Sequence, residues 1–182
     1  YPEGVAPAQI DETPAPQEPP DRLGERLARE KAVLVKQRYQ ECWILGADTV
    51  VATGHKILPK PRSSTEAEVC LRCLSGRRHR VHSGVCIVDP IGKIHSRKVT
   101  TVVSFKRLNQ HEIDAYLLSN EWEGMAGGYA IQGLAARFIK YLHGSYSNVV
   151  GLPLFETCNM LEGLGFSVGR QEMPTQFIND VL

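Results

Sequence analysis

Apolar and polar positions along this chain follow two spacings, helical and alternating, and the switches between them mark its elements. Leu23, Leu27, Ala28, Lys31, Leu34 and Val35 form a stripe at helical spacing, which predicts a helix from an N-cap at Asp21 to about Arg38. Trp43 to Val51 is nearly all apolar, apart from the single acid Asp48, and predicts a buried strand. Ala67, Cys70, Leu71 and Leu74 predict a second helix, capped by Ser63, Ser64 or Thr65 and ended by Gly76. Val81, Ser83, Val85 and Ile87 alternate, as do Val99, Thr101, Val103 and Phe105. With the turn Asp89-Pro90-Ile91-Gly92 between them they predict a long antiparallel hairpin. Asn109 with Glu112 opens a helix carrying Ile113, Tyr116 and Leu117. A glycine cluster from Gly124 to Gly133, a β-like Phe138 to Leu142, a turn at Gly144 and a helix around Leu154 to Leu164 complete a mixed α/β chain without internal repeats.

Composition narrows the class. With 42% hydrophobic and 23% charged residues over 182 positions, the chain has enough apolar side chains for a core and is expected to fold as a single domain, 1–182. Lys+Arg 21 against Asp+Glu 20 leaves a net charge of +1, so no bulk surface for a nucleic-acid polymer is expected. No apolar run approaches the ~20 residues of a membrane span, and residues from Tyr1 onward are not expected to form a signal sequence. Five cysteines, an odd number set mostly in apolar segments, fit free thiols in a reducing cytoplasm. Six of the 11 prolines fall in residues 1–20, which predicts an extended loop there.

Chemistry concentrates at a few positions. Asp48 is costly to bury without a partner, so it reads as a general base or metal ligand, or else as an acid capping a nearby turn. Lys60, stiffened between Pro59 and Pro61, and Lys31, on the first helix, suit phosphate oxygens, but each also fits a solvated surface cation. Glu12 reads as a loop acid. In Met125 to Gly133, close glycines allow backbone to approach a ligand or to adopt φ > 0, and the Gln132 amide can both donate to and accept from a base edge, although ordinary turns share the glycines. Cys70-Leu-Arg-Cys73 lacks a second ligand pair for zinc, Arg77-Arg78-His79-Arg80 fits a solvated helix C-terminus, and no P-loop or nucleophile elbow is present.

Seven strings in register resemble the Maf (septum-formation-inhibitor-like) nucleotide pyrophosphatases: Ile10-Asp11-Glu12-Thr13-Pro14, Arg26 to Ala32, Gly46-Ala47-Asp48-Thr49-Val50-Val51, Lys60-Pro61, Leu74-Ser75-Gly76, Ala126 to Gly133 and Gly144 to Leu154. The resemblance implies an α/β fold similar to inosine-triphosphate pyrophosphatases, a mixed twisted sheet with flanking helices, two lobes around a cleft, and frequent homodimers. It also implies hydrolysis of a nucleoside triphosphate to monophosphate and pyrophosphate with a divalent cation, Mg²⁺ or Mn²⁺. On that reading Asp48 activates the water, Lys31, Lys60 and Glu12 line the catalytic cleft, and Asp48 and Glu12 are the metal ligands. Thr49 and Gln132 match the dTTP/UTP-preferring branch; a 7-methyl-GTP pyrophosphatase, which has Glu where Gln132 stands, and a catalytically inactive nucleotide-binding regulator of cell division are the alternatives.

The sequence also departs from that family. Its opening strand and Ser-x-Ser-Pro-Arg-Arg loop, which supplies triphosphate-binding side chains, have no counterpart here. Because loss of a central strand would leave a sheet edge unpaired, both are expected to precede Tyr1 in the gene. Met125 stands where the family usually has Lys, removing a phosphate contact, and Pro59 stands where it often has Gly, stiffening the Lys60 loop.

Overall fold

The computed structural model describes residues 4–166 and 168, with the backbone of 177–180. Helix α1 spans Pro20–Lys36 and leads into strands β1 (Trp43–Thr53) and β2 (Lys56–Leu58). Helix α2 (Ser64–Leu74), strands β3 (Arg78–Val88) and β4 (Ile94–Phe105) and helix α3 (Gln110–Leu117) follow. Short 3-10 turns at Ala126–Gly128 and Leu134–Phe138 precede strand β5 (Ile139–His143), helices α4 (Tyr146–Val150) and α5 (Leu154–Gly163), and strand β6 (Phe177–Asp180).

The sheet runs β2-β1-β3-β4-β5, with β6 beside β1. It is mixed, as expected: β1 lies antiparallel to β2 (Val51 opposite Leu58), β4 antiparallel to β5 (Val103 opposite Leu142), and β1 parallel to β6 (Ile44 opposite Ile178). β6 pairs with the stretch of β1 that β2 does not reach. The β3–β4 turn is closed by Asp89, whose carboxylate accepts the Lys93 N–H at 2.8 Å.

Most predicted elements stand, with adjusted ends. Helix α1 begins at Pro20 behind Pro19, and no side chain caps it. Proline suits a first helical position because its missing N–H would lack a partner there in any case. Asp21 therefore sits inside the first turn, where it pairs with Lys98 at 2.7 Å, and the helix stops at Lys36 rather than Arg38. Of the three cap candidates for α2, Ser63 takes the role, its hydroxyl accepting the Glu66 N–H at 3.2 Å. The capping box of Asn109 and Glu112 forms as predicted. Helix α4 and the two 3-10 turns carry no periodic signal and were not predicted. Residues 1–3 of the predicted N-terminal loop lie outside the described residues.

The chain folds as two compact units, answering to the two expected lobes. The first comprises Tyr1–Asp48, Ser83–Val99 and Gly151–Leu182. Its core joins Ala28, Ala32 and Val35 of α1 to Ile44, Cys86 and Val88, and Leu45, Val85 and Ile87 to Leu161 of α5. Two glycines set how closely α1 lies on the strands. A Cβ on Gly84 would stand 2.2 Å from the Gly24 carbonyl oxygen, and one on Gly46 would stand 2.5 Å from that of Ala28.

The second unit comprises Thr49–His82 and Thr100–Val150. Leu71 and Leu74 of α2 pack with Val81, Val103, Phe105, Tyr116, Tyr129 and Phe138. The aromatic rings meet edge-on, Phe105 to Tyr129 at 4.9 Å and Tyr116 to Phe138 at 5.6 Å, the arrangement favoured by ring quadrupoles. Burial of each such ring stabilises the unit by about 1.5–3 kcal/mol.

Candidate active site

In the first unit, local spacing assembles an acid–base cluster. Gly46 and Asp48 lie two apart on β1 and so share a face, while Ala28, Lys31 and Ala32 share a face of α1. Because Gly46 has no side chain, Ala28 and Ala32 press against the strand, and Lys31 is carried to the neighbouring acid. The Lys31 ammonium donates to Asp48 Oδ1 at 2.8 Å, and both side chains are buried, at 9% and 7% residue exposure. The same ammonium stands 2.8 Å from Glu12 Oε1. Burial pulls the Lys31 pKa down, but the Asp48 charge and the hydrogen bonds to Asp48 and Glu12 outweigh it, and the net shift is upward. Lys31 therefore stays charged at neutral pH.

Glu12 comes from the N-terminal loop, in which residues 5–15 form no helix or strand. Arg26 of α1 supplies the anchor, with Nε 2.8 Å from Glu18 Oε1, Nη2 2.9 Å from Glu18 Oε2 and 3.0 Å from the Thr13 carbonyl, and Nη1 3.2 Å from Glu30. These bonds raise the Arg26 pKa and lower that of Glu18. Within the loop, hydrogen bonds from Thr13 hold the Asp11 carboxyl below the usual range. Arg26 was not singled out in the sequence as the anchor of this loop: on a helix rich in Arg and Glu it reads as one more solvated cation. Glu30 four positions on was the available signal. Alongside lies an open groove of about 500 Å³, lined by Arg22, Arg26, Arg29, Glu18, Ile94 and Ser96. Its lining includes the anchoring pair Arg26 and Glu18 but not Lys31, Asp48 or Glu12.

The second unit holds the other candidates. Thr49 follows Asp48 on β1, points to the opposite face and is half-buried. Lys60 is exposed on the loop after β2. That loop is braced by a hydrogen bond from the Gly127 N–H to the Pro59 carbonyl at 3.1 Å. Gly127 (φ 71°) and Gly128 (φ 70°) take the left-handed conformation, and a Cβ on Gly127 would meet Val51 at 2.8 Å. What these two glycines admit is the chain's own Val51, Pro61 and Cys70, rather than the ligand approach that their clustering suggested. Gln132 is exposed just beyond the buried run Tyr129-Ala130-Ile131. Met125 precedes the glycine turn, its carbonyl accepting the Gly128 N–H at 2.9 Å.

One expectation about other residues changes. Arg77, Arg78 and Arg80 are exposed, in keeping with a solvated patch, but His79 is 2% exposed and packs edge-on against Phe105 and Tyr129. Burial lowers its pKa to about 4, so the imidazole is neutral. The Gly144–Leu154 string, to which no role fell in the sequence, is organised by Thr101. The Thr101 hydroxyl donates to the Ser145 carbonyl at 3.1 Å and accepts from the buried Asn148 amide at 3.0 Å. Cys70 and Cys73 are free thiols, and no three His, Cys, Asp or Glu side chains converge on a metal position among the described residues. No helix among the described residues is long and apolar enough to cross a membrane.

Comparison with known proteins places these residues in a family context. Residues 2–164 match the sequence profile of the family described as Maf-like protein. A dTTP/UTP pyrophosphatase of Paramagnetospirillum magneticum is 54% identical over 163 residues, 90% of this chain and 86% of that protein. Similar proteins named dTTP/UTP pyrophosphatase occur in Rhodospirillum rubrum, at 52% identity over 93% of this chain and 80% of the relative, and in Mesorhizobium japonicum, at 50% over 92% and 83%.

Proposed function

The chain belongs to the Maf-like family, and from that premise we propose that it hydrolyses dTTP and UTP to the monophosphate and pyrophosphate. The observation that carries the chemistry is the buried Asp48 carboxylate held by an ammonium that also binds Glu12. A buried acid kept beside a fixed cation is a costly arrangement, and a general base repays that cost. Asp48 orients a water toward the α-phosphorus and accepts its proton.

Lys31 spends two of its three N–H donors on Asp48 and Glu12, which makes it first a positioning residue; its third donor suits a phosphate oxygen. Lys60, exposed on its proline-stiffened loop, is assigned to the phosphates, and Thr49 and Gln132 to the base. Once a bound nucleotide covers it, an amide that pairs with one base edge is left unsatisfied by another, which penalises the wrong nucleotide by roughly 1–3 kcal/mol.

A divalent cation, Mg²⁺ or Mn²⁺, belongs to this reading. Asp48 and Glu12 already converge on one positive charge, the Lys31 ammonium, so the pair suits a hard cation completed by phosphate oxygens and water. When bound, such a cation neutralises charge on the triphosphate. Free, largely buried thiols fit a cytoplasmic setting, and we assign the protein there; the family resemblance implies a homodimer. Pyrophosphate release from a panel of nucleoside triphosphates, with and without Mg²⁺, tests the substrate assignment. Equal turnover of dTTP, UTP and ATP would remove it.

A further inference from the structure

Gln132 sits at the third position of a tight turn, Ala130 to Gly133, closed by the Gly133 N–H donating to the Ala130 carbonyl at 3.1 Å. The turn is pinned on both sides. Downstream, the Leu134 N–H donates to the Glu121 carboxylate at 2.6 Å, and a Cβ on Gly133 would lie 2.1 Å from that carboxylate. Upstream, the Ala130 N–H donates to the Tyr116 hydroxyl at 3.0 Å, and the Tyr129 hydroxyl shares a hydrogen bond with His79 Nε2 at 2.8 Å.

The last contact is the unusual one. His79 lies between Phe105 and Tyr129, with ring centroids at 5.1 and 5.5 Å, where a phenylalanine would pack as well. The imidazole brings two polar nitrogens into this apolar core, and Nδ1 has no hydrogen-bond partner among the described residues. An orphaned buried nitrogen is unfavourable, so what His79 contributes beyond packing is the other nitrogen's hold on Tyr129, three residues before Gln132. We propose that His79, acting through Tyr129, is a positioning residue that fixes the Gln132 turn and thereby sets the preference among nucleobases. The proposal rests on the dTTP/UTP reading and on Gln132 as the base contact.

The test compares His79→Phe, His79→Gln, Tyr129→Phe and Gln132→Ala with the wild-type protein, using dTTP and ATP as probes. The selectivity ratio is read both as kcat/KM and as Kd. Loss of turnover would then count against the pyrophosphatase reading while leaving His79 testable by binding. His79→Phe, Tyr129→Phe and Gln132→Ala are all expected to lower the dTTP-over-ATP ratio by about tenfold, through KM rather than kcat. His79→Gln, which keeps a polar partner for Tyr129, should recover most of the ratio, and His79→Phe/Gln132→Ala should fall no further than Gln132→Ala alone. Lowered melting temperatures with an unchanged ratio in both His79→Phe and Tyr129→Phe would overturn the proposal. So would a Gln132→Ala variant that selects dTTP as the wild type does.

Discussion

Lys31 Nζ lies 2.8 Å from Asp48 Oδ1, a contact between residues 17 apart in sequence and almost wholly withdrawn from water. Removing one partner leaves an uncompensated buried charge, which costs about 3–5 kcal/mol, whereas removing both leaves an apolar contact. Lys31→Met should therefore lower the urea midpoint sharply and abolish turnover. Lys31→Met/Asp48→Leu should regain most of the stability and none of the activity.

Glu12 is bound by the same ammonium but sits in solvent, with 46% of its side chain exposed. Lys31 keeps Asp48 as its partner when Glu12 is neutralised, so Glu12→Gln should leave the melting temperature nearly unchanged. Its effect belongs on activity: kcat/KM is expected to drop about tenfold or more, with a higher Mg²⁺ concentration needed for half-maximal rate. Activity and metal dependence equal to wild type would remove Glu12 from the site.

Arg26 reaches the cluster only by anchoring the loop that carries Glu12. Arg26→Ala should thus reproduce the activity loss of Glu12→Gln, and the double variant should show much less than the sum of the two losses. Fully additive losses would mean that Arg26 acts elsewhere.

Gly46 is the gap through which α1 approaches β1. Alanine there puts a methyl 2.5 Å from the Ala28 carbonyl oxygen, an overlap that shifts backbone and costs about 1–3 kcal/mol. Since the same approach delivers Lys31 to Asp48, Gly46→Ala should lose activity along with stability. Denaturant midpoint and turnover measured on one preparation check both.

His79 makes the second unit sensitive to acid. Its pKa falls from the ordinary 6.5 to about 4 on folding, because burial disfavours the imidazolium. A depressed folded pKa means that the unfolded chain binds the extra proton first. The contribution is therefore complete above pH 6.5 and is lost as pH falls toward 4, to a total of about 3 kcal/mol. Unfolding free energies of the wild type should decline across that window, and those of His79→Phe should decline by correspondingly less.

What the sequence disclosed and what it hid follow one physical division. Asp48 was legible because a lone carboxylate in an apolar run demands a partner, and the α3 capping box because its residues sit three apart. The partner itself was hidden, since nothing in the spacing of Lys31 and Asp48 says that a glycine at position 46 will let helix and strand close on each other. His79 was masked by its arginine neighbours, which made a basic patch the natural reading. The strand alternation of exposed Arg78, buried His79 and exposed Arg80 held the evidence in plain view. The glycines of the 124–133 cluster were legible as close-approach positions, but the surface they approach is the chain's own and only packing reveals it.

The most direct test of the whole account is pyrophosphate release from dTTP and UTP by the wild-type protein and by Asp48→Asn, which keeps the side chain's shape and removes the base. A loss of about 10²- to 10⁴-fold in kcat, with nucleotide binding retained, is the predicted result. Turnover by Asp48→Asn at the wild-type rate would contradict it.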